Sequence, residues 1–187
     1  MVTRQEIAAD LRGLGVGSGD LLAVHSSLKS LGWVEGGPEE VIEAFLDVLG
    51  ATGNLMMPVF SFTFSSLDAT ALYDPDRSSS KVGAITETFR RDPRTVRSLH
   101  PTHSVGVIGP LAEELTFGHL ASSPLGRGSP FDRVRERDGT ILMIGCNLTS
   151  CSILHVYEVL ADLPYIDVAF RRDKDHELAG IGRNGKK

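Results

Sequence analysis

The apolar positions of the chain follow two patterns that alternate along the sequence: helical spacing and short uninterrupted apolar runs. Thr3 and Glu6 have the spacing of a helix capping box, and Ile7 and Leu11 then recur at helical spacing. The run LLAV at 21–24 carries no polar residue and predicts a short buried strand. The same two signals predict further strands at 54–60, 104–109 and 140–145 and further helices at 38–50, 82–91, 110–118 and 152–162.

This alternation of strands and helices predicts the α/β class, with a mixed, largely parallel sheet covered by helices on both faces. The polar stretches 61–81 and 119–133 are predicted to be loops, and 166–170 is predicted to be a further strand. No internal repeat or linker divides the sequence. We therefore expect residues 1–187 to form a single domain.

Composition limits the class of protein further. Hydrophobic residues make up 41% of the 187 residues and charged residues 23%, as is typical of a globular protein. No apolar run reaches the length of about 18 residues that a membrane helix needs, and the N-terminal segment is charged where a signal peptide is apolar. A cytoplasmic location is therefore predicted.

The formal net charge of −5 argues against nucleic acid as a partner. Cys146 and Cys151 lack a zinc or redox spacing and are expected to be free thiols.

Unusual polar residues follow three of the predicted strands. They are HSS at 25–27, the segment 60–68, and the segment 146–155. In open α/β sheets, sites form beyond the carboxyl ends of the strands, so these segments are expected to share one site. Small hydroxyl residues at 25–27 leave donors free for a phosphate or carbonyl oxygen. The alternative for them is ordinary turn chemistry.

The segment HPTH at 100–103 carries two histidines three residues apart. They could ligate a metal, but no nearby acidic residue or cysteine completes a recognised ligand pattern. A hydrogen-bonded structural role is favoured for at least one of them. Arg97 just upstream could bind an anion or remain solvated. This segment leads into a predicted strand, so the pattern does not fix the end of the sheet at which it lies.

His155 lies one turn inside the last predicted helix. Ser152 is a suitable N-cap residue, and the helix dipole disfavours a charged imidazole near this end, which suits a general base. Glu158 follows at i+3 and could orient the ring. The alternative is a solvent-facing histidine on an amphipathic helix.

Five segments together carry a resemblance to a known family. They are LLAVHSSLKSLG (21–32), GNLMMPVFSF (53–62), VGAITETFRRDPRTVRSLHPTHSVGVIGP (82–110), GSPFDRV (128–134) and GTILMIGCNLTSCSILHVYEVLADLPY (139–165). Each motif is modest alone, but their shared order is specific. On these segments the chain resembles the aminoglycoside 3-N-acetyltransferase family, which implies an antibiotic acetyltransferase-like fold.

The resemblance implies an acetyl-CoA-dependent reaction. Acetyl passes from this cosubstrate to the 3-amino group of a 2-deoxystreptamine aminoglycoside, which confers antibiotic resistance. The general base of the family's NTxxHxxE motif falls on His155, with Glu158 beside it, and the family's HP motif places His100 at the floor of the site. These three residues form the expected catalytic set. Neither a covalent intermediate nor a metal is expected.

The resemblance also assigns binding residues. The family's CoA loop falls on 25–32, so the cofactor-binding candidates are His25, Ser26, Ser27, Leu28 and Lys29, with Ser104 and Val105 added. Recognition of a polycationic sugar falls on the 61–76 loop, so the substrate-binding candidates are Phe60, Asp68, Asp74 and Ser152, with Asp76 as a further acidic candidate.

Two departures from the family pattern leave alternatives open. CS at 151–152 replaces the NT of the motif, and an acidic residue that the family carries beyond PY at 164–165 has no clear match. We expect the domain to lack part of the usual C-terminal region. The alternatives are a truncated or inactive CoA-binding relative, an acetyltransferase for another small amine, or a metal-dependent hydrolase using His100, His103 and His155. The expected partners are acetyl-CoA and an aminoglycoside, and the chain is expected to be a monomer or a homodimer.

Overall fold

A computed structural model describes residues 1–62 and 73–166. Its helices and strands, in chain order, are α1 (Arg4–Gly13), β1 (Leu21–Ser26), α2 (Leu28–Leu31), α3 (Pro38–Leu49), β2 (Asn54–Pro58), α4 (Ala84–Arg91), β3 (Val96–Arg97), β4 (Val105–Ile108), α5 (Ala112–Thr116), α6 (Pro130–Glu136), β5 (Thr140–Ile144) and α7 (Ile153–Leu160). Short 3-10 turns lie at His119–Ala121 and Leu148–Ser150. The predicted strand at 166–170 and the candidate Asp68 fall outside the described residues.

The five strands form one mixed sheet in the order β3-β4-β2-β1-β5. Strand β1 pairs in parallel with β2 and β5, whereas β4 runs antiparallel to both β2 and β3. In this antiparallel pair Pro58, the last residue of β2, lies opposite Val105, the first residue of β4. The segment that enters β4 therefore reaches the same edge of the sheet as the segments that leave β1, β2 and β5.

Helices cover both faces of the sheet, as the sequence predicted. In β1, Leu22 and Val24 pack into one core layer with α1, α3 and α4, while Ala23 packs into a second layer with α5, α6 and α7. In β2, Leu55 and Met57 belong to the first layer, and Met56 belongs to the second. The side-chain period of two along each strand thus divides the apolar residues between two layers.

Local signals in the sequence explain where several helices begin. The Thr3 hydroxyl accepts the backbone N–H of Glu6, and the Glu6 carboxylate accepts the backbone N–H of Thr3, so both halves of the predicted capping box form. Pro38 occupies the first turn of α3, where its missing N–H costs no helical hydrogen bond. Arg4 of α1 then forms a bidentate ion pair with Asp47 of α3 at 2.6 and 2.7 Å, which joins the two helices.

Three local expectations from the sequence were wrong. The predicted loop 119–133 contains the start of α6, where the Ser129 hydroxyl caps the helix by accepting the backbone N–H of Asp132. Strand β1 extends through Ser26, because its pairing with β5 continues to Ile144. Ser152 precedes α7 but makes no capping hydrogen bond with its side chain, since its own backbone is already helical.

A close backbone approach brings the segment after β5 to this edge. Gly145 has a φ of 64°, and a Cβ built there would lie 3.1 Å from the Ser27 carbonyl oxygen and 2.5 Å from the Cβ of Ser30. A side chain at this position would therefore push the β5 end away from the turn after β1. Within residues 1–62 and 73–166, no helix has the length and apolar character to cross a membrane.

Candidate active site

A cleft of about 360 Å³ lies at the edge of the sheet where β1, β2 and β5 end. Six parts of the chain line it: the end of β1, the end of β2 with the segment after it, the start of α4, the turn before β4, the loop before α6, and the segment from β5 into α7. The lining residues are His25, Ser26, Pro58, Phe60, Phe62, Val82, Thr86, His103, Leu125, Cys146, Thr149, Ser150, Cys151, Ser152 and His155. The predicted candidates His25, Ser26, Phe60, Ser152 and His155 are thus brought together.

His155 stands at the mouth of this cleft as part of a polar chain of three residues. Its Nδ1 lies 2.7 Å from Oε2 of Glu158, and the side chain of His155 is 49% exposed. The hydroxyl of Tyr165 donates to the other oxygen, Oε1, of Glu158 at 2.9 Å. These hydrogen bonds from His155 and then Tyr165 lower the pKa of the Glu158 carboxyl. Both oxygens of Glu158 are therefore engaged, and the carboxylate holds the imidazole in one orientation.

His103 enters the cleft from the turn before β4. Its Nδ1 lies 2.7 Å from the Thr102 hydroxyl oxygen, and its ring meets those of Phe60 and Phe62 edge-on at 4.8 and 5.5 Å. Burial, and to a smaller extent the charge of His155, lowers the pKa of His103 to about 4. His103 is consequently neutral at physiological pH and lies within electrostatic range of His155.

His100 lies behind the cleft and does not line it. Its Nδ1 accepts the backbone N–H groups of His103 at 3.0 Å and Thr102 at 3.3 Å, so its ring closes the turn that carries His103. The ring of His100 also contacts that of His119, with centroids 4.7 Å apart. We predicted His100 among the catalytic residues; the structure places it outside the cleft lining, where its contacts close this turn.

His119 is buried and held at both ring nitrogens. Its Nε2 donates to the carbonyl oxygen of Pro124 at 3.1 Å, so its Nδ1 accepts from the Ser98 hydroxyl at 2.8 Å. Ser98 in turn accepts the backbone N–H of Val105, the first residue of β4. Burial lowers the pKa of His119 to about 4 and that of His100 to about 3. This interior network therefore consists of neutral, fixed rings.

The end of β1 carries two buried polar atoms without partners. Nε2 of His25 and Oγ of Ser26 make no hydrogen bond within the described part of the chain. The His25 ring stacks on Phe131 at 5.7 Å, and burial lowers its pKa to about 4. Buried polar groups are normally paired, so the two atoms mark a place where a bound molecule would supply partners after a small adjustment.

The segment between β5 and α7 brings small polar groups to the cleft. Asn147 accepts the backbone N–H of Thr149 at 3.1 Å and starts the short 3-10 turn. Both cysteines are free thiols, and both line the cleft. Burial raises the pKa of the Cys146 thiol, so it is a poor nucleophile at neutral pH.

Five predicted CoA-binding residues do not line the cleft: Ser27, Leu28, Lys29, Ser104 and Val105. The Ser27 hydroxyl accepts a hydrogen bond from the Ser30 hydroxyl at 3.0 Å. Ser104 is buried, donates to the Val59 carbonyl oxygen at 3.0 Å and accepts from Arg97 at 3.1 Å. Val105 packs in the second core layer. Leu28 packs against the first core layer, and Lys29 is exposed on α2. The buried side chains of Ser104 and Val105 support the strand and the turn beside the cleft.

Asp74, predicted as a substrate ligand, does not line the cleft either. Its carboxylate accepts the backbone N–H groups of Asp76 at 2.9 Å and Arg77 at 3.2 Å, and so organises its own turn. Arg97 is also structural, because its guanidinium donates to the carbonyl oxygens of Pro75 and Ser78.

The described residues hold no group of three or more potential metal ligands, so His100, His103 and His155 do not form a metal site there.

The sequence interpretation did not consider Thr86, included Phe62 only within the segment 60–68, and named His103 only as a possible metal ligand or structural residue. The end of the sheet at which His103 lies depends on the antiparallel pairing of β4. Thr86 reaches the cleft because α4 starts beside the end of β1, where the ideal Cβ of Gly83 is 3.9 Å from the Ser26 carbonyl oxygen. The GxxT spacing of 83–86 marks a helix start, but it does not show which strand end faces that helix.

Comparisons with known proteins agree with this architecture. A family model described as aminoglycoside 3-N-acetyltransferase matches residues 23–186. An aminoglycoside N(3)-acetyltransferase III of Acinetobacter baumannii is 36% identical over 201 aligned residues, covering 100% of this chain and 68% of the relative. The solved structure of AAC-IIIb in a binary complex with CoASH has a TM-score of 0.79 and 32% identity, covering 87% of this chain and 66% of that one. A structure of a mutant of AAC(3)-IVa in complex with a gentamicin has a TM-score of 0.79 and 35% identity, covering 87% and 61% of the two chains.

The mixed α/β fold and these matches define an acyltransferase enzyme. The chain belongs to the aminoglycoside 3-N-acetyltransferase family, and the resemblance stated from its motifs is confirmed. It spans about two thirds of the length of the relatives described here.

Proposed function

We propose that the chain transfers acetyl from acetyl-CoA to the 3-amino group of a 2-deoxystreptamine aminoglycoside, with His155 as the general base. The observation that carries the proposal is the His155–Glu158 pair, 2.7 Å apart, at the mouth of the cleft. Family membership supports the reaction class, and relatives bound to CoASH and to a gentamicin support the two substrates.

The contact with Glu158 determines which nitrogen of His155 acts. A carboxylate only accepts hydrogen bonds, so the 2.7 Å contact puts the proton of the neutral ring on Nδ1. The lone pair then resides on Nε2, which is the atom that removes a proton from the substrate ammonium. The carboxylate also stabilises the imidazolium that results.

The reaction proceeds without a covalent enzyme intermediate. His155 Nε2 takes one proton from the substrate ammonium, and the freed amine lone pair attacks the thioester carbonyl carbon. The C–N bond forms as the carbonyl π electrons move to oxygen. The tetrahedral species then collapses: the C=O bond re-forms, the C–S bond breaks, and the nitrogen gives up its second proton, which the leaving CoA thiolate takes up to form the thiol. The products are the N-acetyl amine and CoA.

The donor and acceptor are assigned to different parts of the site. The acetyl-CoA loop is proposed to lie at the end of β1, from His25 to Lys29, where two buried polar atoms have no hydrogen-bond partner among the described residues. Phe60 and Ser152 of the cleft wall are the proposed contacts for the sugar. Asp68, which lies outside the described residues, and the exposed Asp76 remain the proposed acidic contacts for the polycation.

A thiol-release assay tests the proposal. Purified protein, acetyl-CoA and gentamicin are mixed with a thiol-reactive dye, and streptomycin, which lacks 2-deoxystreptamine, serves as the acceptor control. We expect CoA release with gentamicin only, and NMR of the product should locate the acetyl group on the 3-amino nitrogen. Release with simple amines but not with gentamicin would contradict the acceptor. CoA binding without release to any amine would instead support an inactive relative.

A further inference from the structure

We propose that His103 is a further catalytic residue, whose Nε2–H donates a hydrogen bond to the thioester carbonyl oxygen of bound acetyl-CoA. The bond strengthens as that oxygen becomes an oxyanion. This assignment rests on the proposed function for the identity of the ligand. It gives His103 a role distinct from the proton transfer assigned to His155.

The position of His103 matches the place where the carbonyl oxygen must lie. It lines the same cleft as His155 and is close enough for the charge of His155 to affect it. The attacking amine must contact His155 and lie about 3 Å from the thioester carbon. The proposal places the carbonyl oxygen, one bond further, between the two histidines and the end of β1.

The tautomer of His103 follows from its neighbours. The Thr102 hydroxyl oxygen is 2.7 Å from Nδ1 of His103 and 3.2 Å from Nδ1 of His100. The lone pair of His100 Nδ1 already accepts two backbone N–H groups. The single hydroxyl proton therefore goes to His103 Nδ1, over the shorter distance. A neutral His103 that accepts at Nδ1 carries its own proton on Nε2.

This Nε2–H has no acceptor among the described residues, and it is not one of their fully buried unpaired atoms. It therefore opens to accessible space at the cleft. An N–H donor without a protein partner beside the proposed acyl site is suited to a carbonyl oxygen.

The ring of His103 is fixed before any ligand binds. Phe60 and Phe62 contact it edge-on, and Thr102 holds its Nδ1. The turn itself is closed by His100, which packs on His119. Hydroxyl groups of the cleft can rotate, whereas this N–H cannot. Donors that need no reorganisation stabilise an oxyanion best, so the rigid imidazole is the strongest candidate on the cleft wall.

The hydrogen bond transfers no proton and changes no charge on His103. Because burial keeps the pKa of the ring near 4, His103 remains a neutral donor throughout the pH range in which the amine reacts. Its role is to polarise the carbonyl group and to stabilise negative charge that develops during attack.

Two matched variants test this role. His103→Gln retains an N–H donor near the position of Nε2, and His103→Leu retains a similar volume without a donor. We expect His103→Leu to lower kcat on the order of a hundredfold, as for the loss of one oxyanion donor. The kcat of His103→Gln should be at least about tenfold higher than that of His103→Leu. Thermal unfolding and CoA affinity by calorimetry check that both variants fold. Loss of less than threefold in His103→Leu, or equal losses in both variants, would overturn the assignment.

A spectroscopic measurement separates this assignment from the proposed function. The infrared C=O stretch of acetyl-CoA labelled with ¹³C at the carbonyl carbon is recorded free and bound, with no acceptor present. We expect a lower frequency in the bound state, retained in His103→Gln and returned toward the free value in His103→Leu. An unshifted stretch in the parent protein overturns the role of His103 while leaving acetyl transfer intact. A His103-dependent shift without turnover of any aminoglycoside overturns the proposed acceptor while supporting His103.

Discussion

His155 and the histidines around the turn before β4 occupy opposite environments within one site. His155 is half exposed on α7 and contacts a carboxylate. His100 and His119 are buried, and their described partners are backbone groups, hydroxyls and other rings. His103 joins them at the cleft wall. Desolvation thus keeps the interior imidazoles neutral, whereas the imidazole at the mouth is exposed to solvent and has a carboxylate beside it.

This contrast separates two uses of the same side chain. A base must alternate between neutral and charged forms, so it needs solvent access and a carboxylate partner. A ring that only donates or accepts hydrogen bonds works best where it cannot take up a proton. The first environment is created by one turn of helix, and the second by packing between distant segments.

The largest expected effect is loss of the fold in acid. Burial lowers the pKa values of His25, His103 and His119 to about 4 and that of His100 to about 3, from 6.5. The unfolded chain binds these protons near pH 6.5 and the folded chain only near 4. Stability is therefore complete above about pH 6.5 and falls as the pH drops toward 4. Urea unfolding measured from pH 7.5 to 4.5 checks this expectation.

The variant His119→Phe sharpens the acid experiment. It removes one proton-linked group, so the slope of the unfolding free energy against pH should decrease by up to about 1.4 kcal/mol per pH unit between 4.5 and 6. A slope equal to that of the parent protein would show that His119 does not contribute.

The next largest effect concerns the exposed base. His155→Ala should lower kcat on the order of a hundredfold or more, because the substrate ammonium loses its proton acceptor. Steady-state rates with saturating acetyl-CoA and gentamicin measure it. CoA affinity by calorimetry should stay within about twofold, since the change removes no donor-site residue. A kcat within threefold of the parent value would exclude His155 as the base.

Glu158→Gln should have an intermediate effect, roughly ten- to a hundredfold in kcat. The amide keeps the size of the carboxylate but removes its charge, and its NH₂ group can stabilise the wrong tautomer of His155. The KM for acetyl-CoA should change little. If Glu158→Gln retained full activity, the 2.7 Å contact with His155 would have no catalytic role.

Tyr165→Phe should have the smallest effect, about threefold in kcat. It removes one hydrogen bond, from the Tyr165 hydroxyl to Oε1 of Glu158 at 2.9 Å, on an exposed surface. The same assay measures it beside Glu158→Gln. A loss as large as that of Glu158→Gln would place the hydroxyl in contact with the substrate.

Local geometry determines which parts of this molecule could be predicted from sequence. The capping box at Thr3 and the apolar spacing of α3 and β2 act within a few residues, and these elements form as expected. The i+3 spacing of His155 and Glu158 also predicts their contact, because one helical turn sets it. The contact between His155 and Glu158 could be predicted because both residues lie on the same helix, α7.

The remaining features depend on contacts between distant segments. Asp74 looked like a free surface carboxylate, yet its oxygens accept backbone N–H groups of its own turn. Ser104 was a CoA-binding candidate through the family resemblance, but it is buried and donates to the Val59 carbonyl oxygen. His103 could not be assigned until the direction of β4 was known. Neither composition nor periodicity encodes strand direction, which is why the turn that carries His103 could not be placed at the cleft from the sequence.

The antiparallel register of β4 also limits where the chain can tolerate a change in length. A residue inserted between His103 and Val105 would leave two choices. The pairing of β4 with β2 could slip by one residue, which would turn both Val105 and Val107 out of the second core layer, or the extra residue could form a bulge and turn His103 away from the cleft. A residue added after Ile108 would leave the register before it unchanged. Peptide tags and inserted reporter segments must therefore avoid the turn between His103 and Val105.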